Sequence, residues 1–195
     1  TDFMNFESKN EIKKKAFEVL EDGVKNRDSL FHTLTLSTYD GEYIDSRVMV
    51  LREFHHKERR LRFHTDTRSK KIKDLDISQI SSVIGYDPAQ KIQIRLKGIL
   101  KSSYKNKETL EAWEKSQDIS KKCYSVKDGS TSIIKTPASH DFHINDVILE
   151  EGYKNFSILH FYFNSLEFLY LQRSGHRRCK FDWSSGKLIS SWLVP

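Results

Sequence analysis

The run KIQIRLKGILKSSY, Lys91 to Tyr104, puts Ile92, Ile94 and Leu96 on one side of an extended chain and Gln93, Arg95 and Lys97 on the other. A strand with one apolar and one polar face fits a sheet that is buried on one side only. Sheets of that kind are antiparallel. The same alternation recurs along the chain. FHTLTLS (Phe31 to Ser37) is followed by a turn signal at Asp40-Gly41, and YIDSRVMVLREF (Tyr43 to Phe54) reads as the returning strand of a hairpin. A third strand begins at LRFHT after the charged loop His55 to Arg59. SQISSVIGY (Ser78 to Tyr86) turns at Asp87-Pro88 into Lys91 to Tyr104 as a second hairpin. FSILHFYF (Phe156 to Phe163), LEFLYLQR (Leu166 to Arg173) and, past Gly175, CKFDW to ISSWLVP close the chain. About seven strands are expected.

Helical signals fall at the start and in the middle. Ser8-Lys9-Asn10-Glu11 has capping-box spacing, and Ile12, Ala16, Val19, Leu20 and Gly23 form one stripe, which predicts a helix over about 8–25. A second helix is expected from about Thr67 to Leu75, and a third, capped at Asn106 to Thr109, carries Leu110 and Trp113. Residues 125–147 form the longest irregular segment, and long loops in compact domains are often functional. No internal repeat is present. These elements predict a single α+β domain over residues 1–195, an antiparallel barrel with helical covers.

Composition narrows the function classes. The 195 residues suffice to bury a real core, and 12 Phe with 8 Tyr supply the bulk for it. No apolar run approaches the roughly 20 residues needed to cross a bilayer, and TDFMNFESKNEIKKK lacks the apolar centre of a secretory signal. The expected location is the cytoplasm, where Cys123 and Cys179 remain free thiols. Thr1 is not a methionine, so a few residues are expected to precede it. A net charge of +6 favours phosphorylated ligands and polyanions alike. His140-x-x-His143, His55-His56 and the two cysteines lack a metal-ligand spacing, so no metal is expected. The LHFYF run invites an RNA-stacking reading, but its alternation is that of a sheet core.

The stretch RLRFHTDTRSKKIKDL, Arg60 to Leu75, passes from strand to helix through hydroxyls and cations. A helix N-terminus offers unpaired amides and partial positive charge, so Thr65, Ser69, Lys70 and Lys71 are placed to seat an anion. The bland alternative is that Asp66 or Thr67 caps the helix and the lysines face water. Arg47 and Arg52 bracket an apolar strand in SRVMVLR, and an odd separation sends them to opposite faces. A guanidinium grips a phosphate with a fork that lysine cannot imitate.

The order of these features resembles the pyridoxamine 5'-phosphate oxidase-like FMN-binding split-barrel family. The residues concerned are Arg47 to Arg52, Phe63-His64-Thr65-Asp66, Ser69-Lys70-Lys71, Gln93 before Gly98, His176-x-Arg178 and the terminal Trp192-Leu193-Val194-Pro195. The resemblance implies an antiparallel split β-barrel that buries FMN at a homodimer interface. It assigns Arg47, Val48, Val50, His64, Thr65, Ser69, Lys70, Lys71, Gln93 and Arg178 to the cofactor, with Arg178 reaching the flavin of the second subunit. Arg52 and His176 become the candidates facing a small-molecule substrate. The family pattern is departed from at Leu169, where the oxidase has a Trp, and at Ser174. It is departed from again at Trp113, Gln117 and Lys121, which replace the Tyr, Arg and Ser that hold the vitamer phosphate. The expected function is therefore an FMN-dependent oxidoreductase of uncertain substrate. A flavin- or haem-binding protein without turnover and a basic nucleic-acid-binding barrel are the rivals.

Overall fold

The computed structural model describes residues 6–195. Helix α1 (Lys9–Lys25) starts at Ser8, whose hydroxyl accepts from the Glu11 amide at 3.4 Å. The stripe read from the sequence, Ile12, Ala16, Val19, Leu20 and Gly23, is the buried one. Gly23 is fixed by close approach, since a Cβ there would lie 2.5 Å from the Phe31 carbonyl oxygen.

Nine antiparallel strands follow among the described residues: β1 (Thr33–Tyr39), β2 (Ile44–Val50), β3 (Glu53–His55), β4 (Arg60–Asp66), β5 (Ile80–Asp87), β6 (Ile92–Ser103), β7 (Phe156–Tyr170), β8 (Arg177–Asp182) and β9 (Ile189–Leu193). Their order is β2-β1-β5-β6-β7-β4-β3, with β8 on β7 and β9 on β8. The strand expected from Tyr43 to Phe54 is broken in two. After Val50 the Leu51 amide donates to the His32 carbonyl at 2.8 Å, the Arg52 amide donates to that of Arg62 at 2.9 Å, and β3 pairs with β4 instead of β1. The two ends of the strand order are thus joined through two residues, which closes the sheet on itself.

The opposite error applies to β7, expected as two strands but continuous for 15 residues. Lys97 faces Ser165 while Gly98 faces Phe163, so Asn164 is an extra residue in the ladder. N-terminal to this bulge β7 pairs with β4, and C-terminal to it with β8. The bulge is where the barrel splits. Gly98 is obligatory opposite it, because a Cβ would sit 1.8 Å from the Tyr162 carbonyl oxygen.

Helix α2 (Lys70–Ile77) begins three residues later than expected. The Asp66 side chain accepts from the Arg68 amide, the Thr67 amide donates to the Asn155 carbonyl and the Ser69 amide to that of Asp66, so residues 67–69 form a turn. Helix α3 (Lys107–Glu114) carries the expected cap, a reciprocal Asn106 and Thr109 box. Helix α4 (Asp118–Ser125) was not anticipated, since it buries no residue and has no side-chain cap. Beyond it, residues 126–148 are irregular apart from short 3-10 turns.

The main core lies inside the barrel, where Phe31, Leu36, Phe63, Phe161, Phe163, Phe168 and Phe181 are fully buried. Full burial of each such side chain stabilises by about 1.5–3 kcal/mol. Leu159, Phe161 and Phe163 therefore pack inside rather than present a stacking platform. A smaller core of Ala112, Trp113, Phe156 and Ile158 fastens α3 and α4 to the barrel wall.

Candidate functional site

Two clefts flank β2. The first, of about 310 Å³, is lined by Asp45, Ser46, Arg47, Ser69, Lys70, Lys71, Ser130 and Thr131. Alternation on β4 buries Thr65 beneath it, and the turn at 67–69 brings Ser69 alongside. Because Ser69 makes no cap bond to α2, its hydroxyl is available to Thr65 at 3.3 Å and to Lys71. Lys71 Nζ donates to Thr65 Oγ1 at 3.1 Å and to Ser69 Oγ at 3.2 Å. Among the described residues it has no carboxylate within ion-pair distance. Burial lowers its pKa, and the Arg47 guanidinium lowers it further.

Arg47 is also half-buried, and burial lowers its pKa too. Its Nη1 donates to Thr38 Oγ1 at 2.8 Å, and the Thr38 hydroxyl donates to Asp74 Oδ2 at 2.8 Å. Arg47 Nη2 stands 4.0 Å from the same oxygen. The buried Asp74 carboxylate therefore holds Arg47 from behind. The remaining cations of the corner are engaged elsewhere. Lys70 meets Asp40 at 2.8 Å, Asp45 at 2.5 Å and Asp74 at 3.3 Å, which raises its pKa and holds that of Asp40 far below the usual range. Arg68 pairs with Asp66 and donates to the Val126 and Lys127 carbonyls at 2.9 Å.

The second cleft, of about 500 Å³, lies under α3 and α4 and contains Val50, Arg52 and His64. Arg27, Arg52, Arg62 and Lys115 line it with no carboxylate among its described lining residues, and Arg62 pairs with Glu53 at 3.1 Å and Glu108 at 3.4 Å. His64 projects from the face of β4 opposite Thr65, with its ring edge-on to Phe156 at 5.0 Å. Its Nε2 is shut off from solvent without a partner. Burial first, then Arg62 and Arg52, push its pKa down to about 3, so the ring is neutral at pH 7. Burial also pushes the Tyr124 phenol up to about 12, leaving it a hydrogen-bond donor.

Residues 14–103 match the family model of the pyridoxamine 5'-phosphate oxidase, FMN-binding domain. A pyridoxamine 5'-phosphate oxidase-related, FMN-binding protein from Nostoc punctiforme superposes with a TM-score of 0.72 at 19% identity, covering 94% of this chain and 97% of that one. PhzG from Burkholderia lata, in complex with tetrahydrophenazine-1-carboxylic acid, gives a TM-score of 0.72 at 17% identity, covering 94% and 91%. The fold is a pyridoxamine 5'-phosphate oxidase-like split barrel. No curated protein matches the chain in sequence.

Within this split barrel the expected cofactor residues do not all meet. Arg47, Ser69, Lys70 and Lys71 line the first cleft, with Thr65 at its base, and Val50 and His64 line the second. Val48 lies between them on β2, 66% exposed on the outer sheet face. Gln93, Leu169 and Arg178 form one cross-strand row through β6, β7 and β8. Three strand spacings, about 14 Å, separate β6 from β2. Arg178 Nε pairs with Glu167 at 2.8 Å. Of the substrate candidates, Arg52 reaches the second cleft. His176 lines neither cleft; it is exposed, and its Nδ1 accepts from the Gln172 amide at 3.1 Å, closing the β7–β8 turn.

The departures from the family pattern also have a structural setting. Trp113 is buried and donates to Glu150 at 3.2 Å, and Lys121 pairs with Glu150 at 3.5 Å. Only Gln117 of that trio lines the second cleft. Sequence reading missed Asp74, Thr38, Arg27, Arg62 and Lys115. Asp74 was legible as the i+4 partner of Lys70. The others meet only through the tertiary fold.

Proposed function

We propose that the protein binds FMN through its phosphate at the first cleft and acts as an FMN-dependent oxidoreductase on a small anionic molecule. The observation behind this reading is Lys71, a half-buried ammonium that donates to two hydroxyls beside the Arg47 charge, with no carboxylate among the described residues within ion-pair distance. A dianion suits that donor set, since it relieves the repulsion between the two cations and accepts charge-assisted hydrogen bonds from both. Arg47, Lys71, Thr65 and Ser69 would hold the phosphate, with Lys70 at the rim and Val48, Val50 and His64 beside the ring. FMN supplies two-electron chemistry when bound. The protein's part is to position the substrate and supply the field around it.

Arg52, joined by Arg27 and Lys115, gives the second cleft a positive potential suited to a carboxylate or phosphate on the substrate, while Arg62 beside them is already paired with Glu53 and Glu108. The PhzG relative holds a carboxylic acid. A homodimer is supported by the outer sheet face, where Val48, Thr35, Ile84 and Arg95 lie in one row and Val48, Ile84 and Tyr86 are exposed. Two such faces in contact would bring Gln93 and Arg178 of one copy to the flavin of the other. The single-domain reading of residues 1–195 and a cytoplasmic location belong to the same proposal.

The test is an absorption spectrum of the purified protein. Yellow protein that bleaches with dithionite and recovers in air carries flavin; bleaching by a reduced small-molecule substrate supports an oxidoreductase, whereas flavin that only dithionite reduces points to a carrier of the same fold. Colourless protein that ignores added FMN would overturn the reading.

A further inference from the structure

The first cleft has a wall that belongs to neither β2 nor the corner before α2. Ser130 and Thr131 supply it from the segment that follows α4. Helix α4 is anchored as far as Ser125, whose hydroxyl donates to the Leu149 carbonyl at 2.9 Å. Beyond that point, among the described residues, the hydrogen bonds that tie residues 126–131 to the barrel come from one side chain. Arg68 Nη1 donates to the Val126 and Lys127 carbonyls, both at 2.9 Å. The other two nitrogens of the guanidinium, Nε at 2.9 Å and Nη2 at 2.7 Å, are held by the two oxygens of Asp66 at the end of β4. A fork seated on a carboxylate aims its remaining nitrogen in a set direction, which a flexible ammonium does not.

The segment also rests on the Arg68 stem. A Cβ on Gly129 would lie 2.8 Å from Arg68 Cβ, too close for the backbone to stay where it is. Gly129 is not left-handed, so close approach and not φ sets the limit there. Thr131, which lines the cleft, has φ 71°, a conformation that a β-branched residue adopts only where its surroundings impose it. Ser132 closes this turn by donating to the Gly129 carbonyl, from its amide at 3.3 Å and its hydroxyl at 2.7 Å. A strained segment held to the barrel at one residue can open without unfolding the rest.

We propose that Arg68 is a positioning residue that latches residues 126–131 against the first cleft, and that the strength of this latch sets the rate at which FMN leaves. The inference rests on the reading that the FMN phosphate occupies that cleft. Arg68 is not among the residues lining it. It acts through Ser130 and Thr131, which hold water away from charge-assisted bonds that weaken as the local dielectric rises.

Two variants attack the latch from its two sides. Arg68→Met keeps the stem and removes the donors, whereas Gly129→Ala keeps the donors and wedges the segment off the stem. In the intact protein without flavin, trypsin should cut after Lys127 about tenfold faster in each variant, while cleavage within the barrel strands keeps its native rate. FMN release, followed by flavin fluorescence after dilution of the loaded protein, should quicken about tenfold in each, with association within about threefold of native. Either change opens the same latch, so the double variant should release FMN no faster than the singles, whereas two independent losses would multiply. Native cleavage rates at Lys127 in both variants overturn the latch. An unchanged release rate, or multiplied rates in the double variant, overturns its control of the cofactor. Native protein that takes up no FMN overturns the reading of the cleft and with it the effect on release, while cleavage at Lys127 by itself still upholds or overturns the latch.

Discussion

The two clefts beside β2 share their strands but treat charge in opposite ways. In the first, two half-buried cations face each other across hydroxyls, and the buried Asp74 braces Arg47 through Thr38. In the second, Arg27, Arg52 and Lys115 line an open space with no carboxylate among its described lining residues, Arg62 beside them is paired with Glu53 and Glu108, and burial holds the pKa of the histidine down to about 3. A rigid, braced arrangement suits a ligand whose shape never changes, such as a phosphate ester. An open basic funnel suits a ligand that must enter and leave. The contrast predicts that damage to the first cleft appears in stability and cofactor affinity, and damage to the second in pH response.

The largest effect is expected from Asp74→Ala. The carboxylate is buried and accepts from Thr38, with Lys70 and Arg47 close by, so its loss leaves buried donors and a guanidinium uncompensated. Breaking a buried charged network of this kind costs about 3–5 kcal/mol. Urea denaturation measures it, and a loss under about 1 kcal/mol would mean that the brace is not structural. Lys71→Ala comes next, with FMN affinity falling on the order of a hundredfold as charge-assisted bonds to the phosphate vanish. Titration of flavin fluorescence checks this, and affinity within a few-fold of native would remove Lys71 from the seat.

The second cleft is probed through pH. The folded pKa of His64 is pushed down to about 3 from the ordinary 6.5, so between those values the unfolded chain binds a proton that the folded protein refuses. Its contribution is complete above pH 6.5 and is lost as pH falls toward 3. His64→Asn should flatten the acid limb of the stability curve by on the order of 2 kcal/mol across that window. An unchanged slope would show that the ring reaches water.

The sequence made the outline of this fold legible because one-sided sheets and striped helices write their periods into local residues. The hairpins, the buried stripe of α1 and the Asn106 cap are of this kind. Non-local choices were hidden. A strand that trades β1 for β4 after Val50 looks like one strand, and a bulge at Asn164 looks like a turn. Helix α4 is held by outside contacts, such as Ser125 donating to the Leu149 carbonyl and Asn155 to that of Tyr124, not by an apolar stripe. The first cleft was half legible. Hydroxyls and lysines at a strand-to-helix corner announce an anion seat, but which lysine serves it depends on Asp40 and Asp45, some 25 to 30 positions away.

That dependence makes Lys70 and Lys71 the finest test of the comparison, because the two are adjacent in sequence and identical in chemistry. Lys70 is half-exposed and surrounded by three carboxylates, which cancel the field it could exert on a phosphate. Removing a surface cation whose charge is already neutralised changes little, since exposed pairs are screened by water and salt. Lys70→Ala should alter FMN affinity by less than about threefold, against the hundredfold expected at Lys71. The outcome changes if the two more exposed carboxylates, Asp40 and Asp45, are removed. In an Asp40→Asn, Asp45→Asn background the Lys70 ammonium keeps only Asp74 as a partner and its field at the cleft rises, so FMN should bind more tightly than to the native protein, and Lys70→Ala should then reverse that gain. If Lys70→Ala in the native protein matches Lys71→Ala instead, both lysines serve the phosphate and the division of labour at the corner is void.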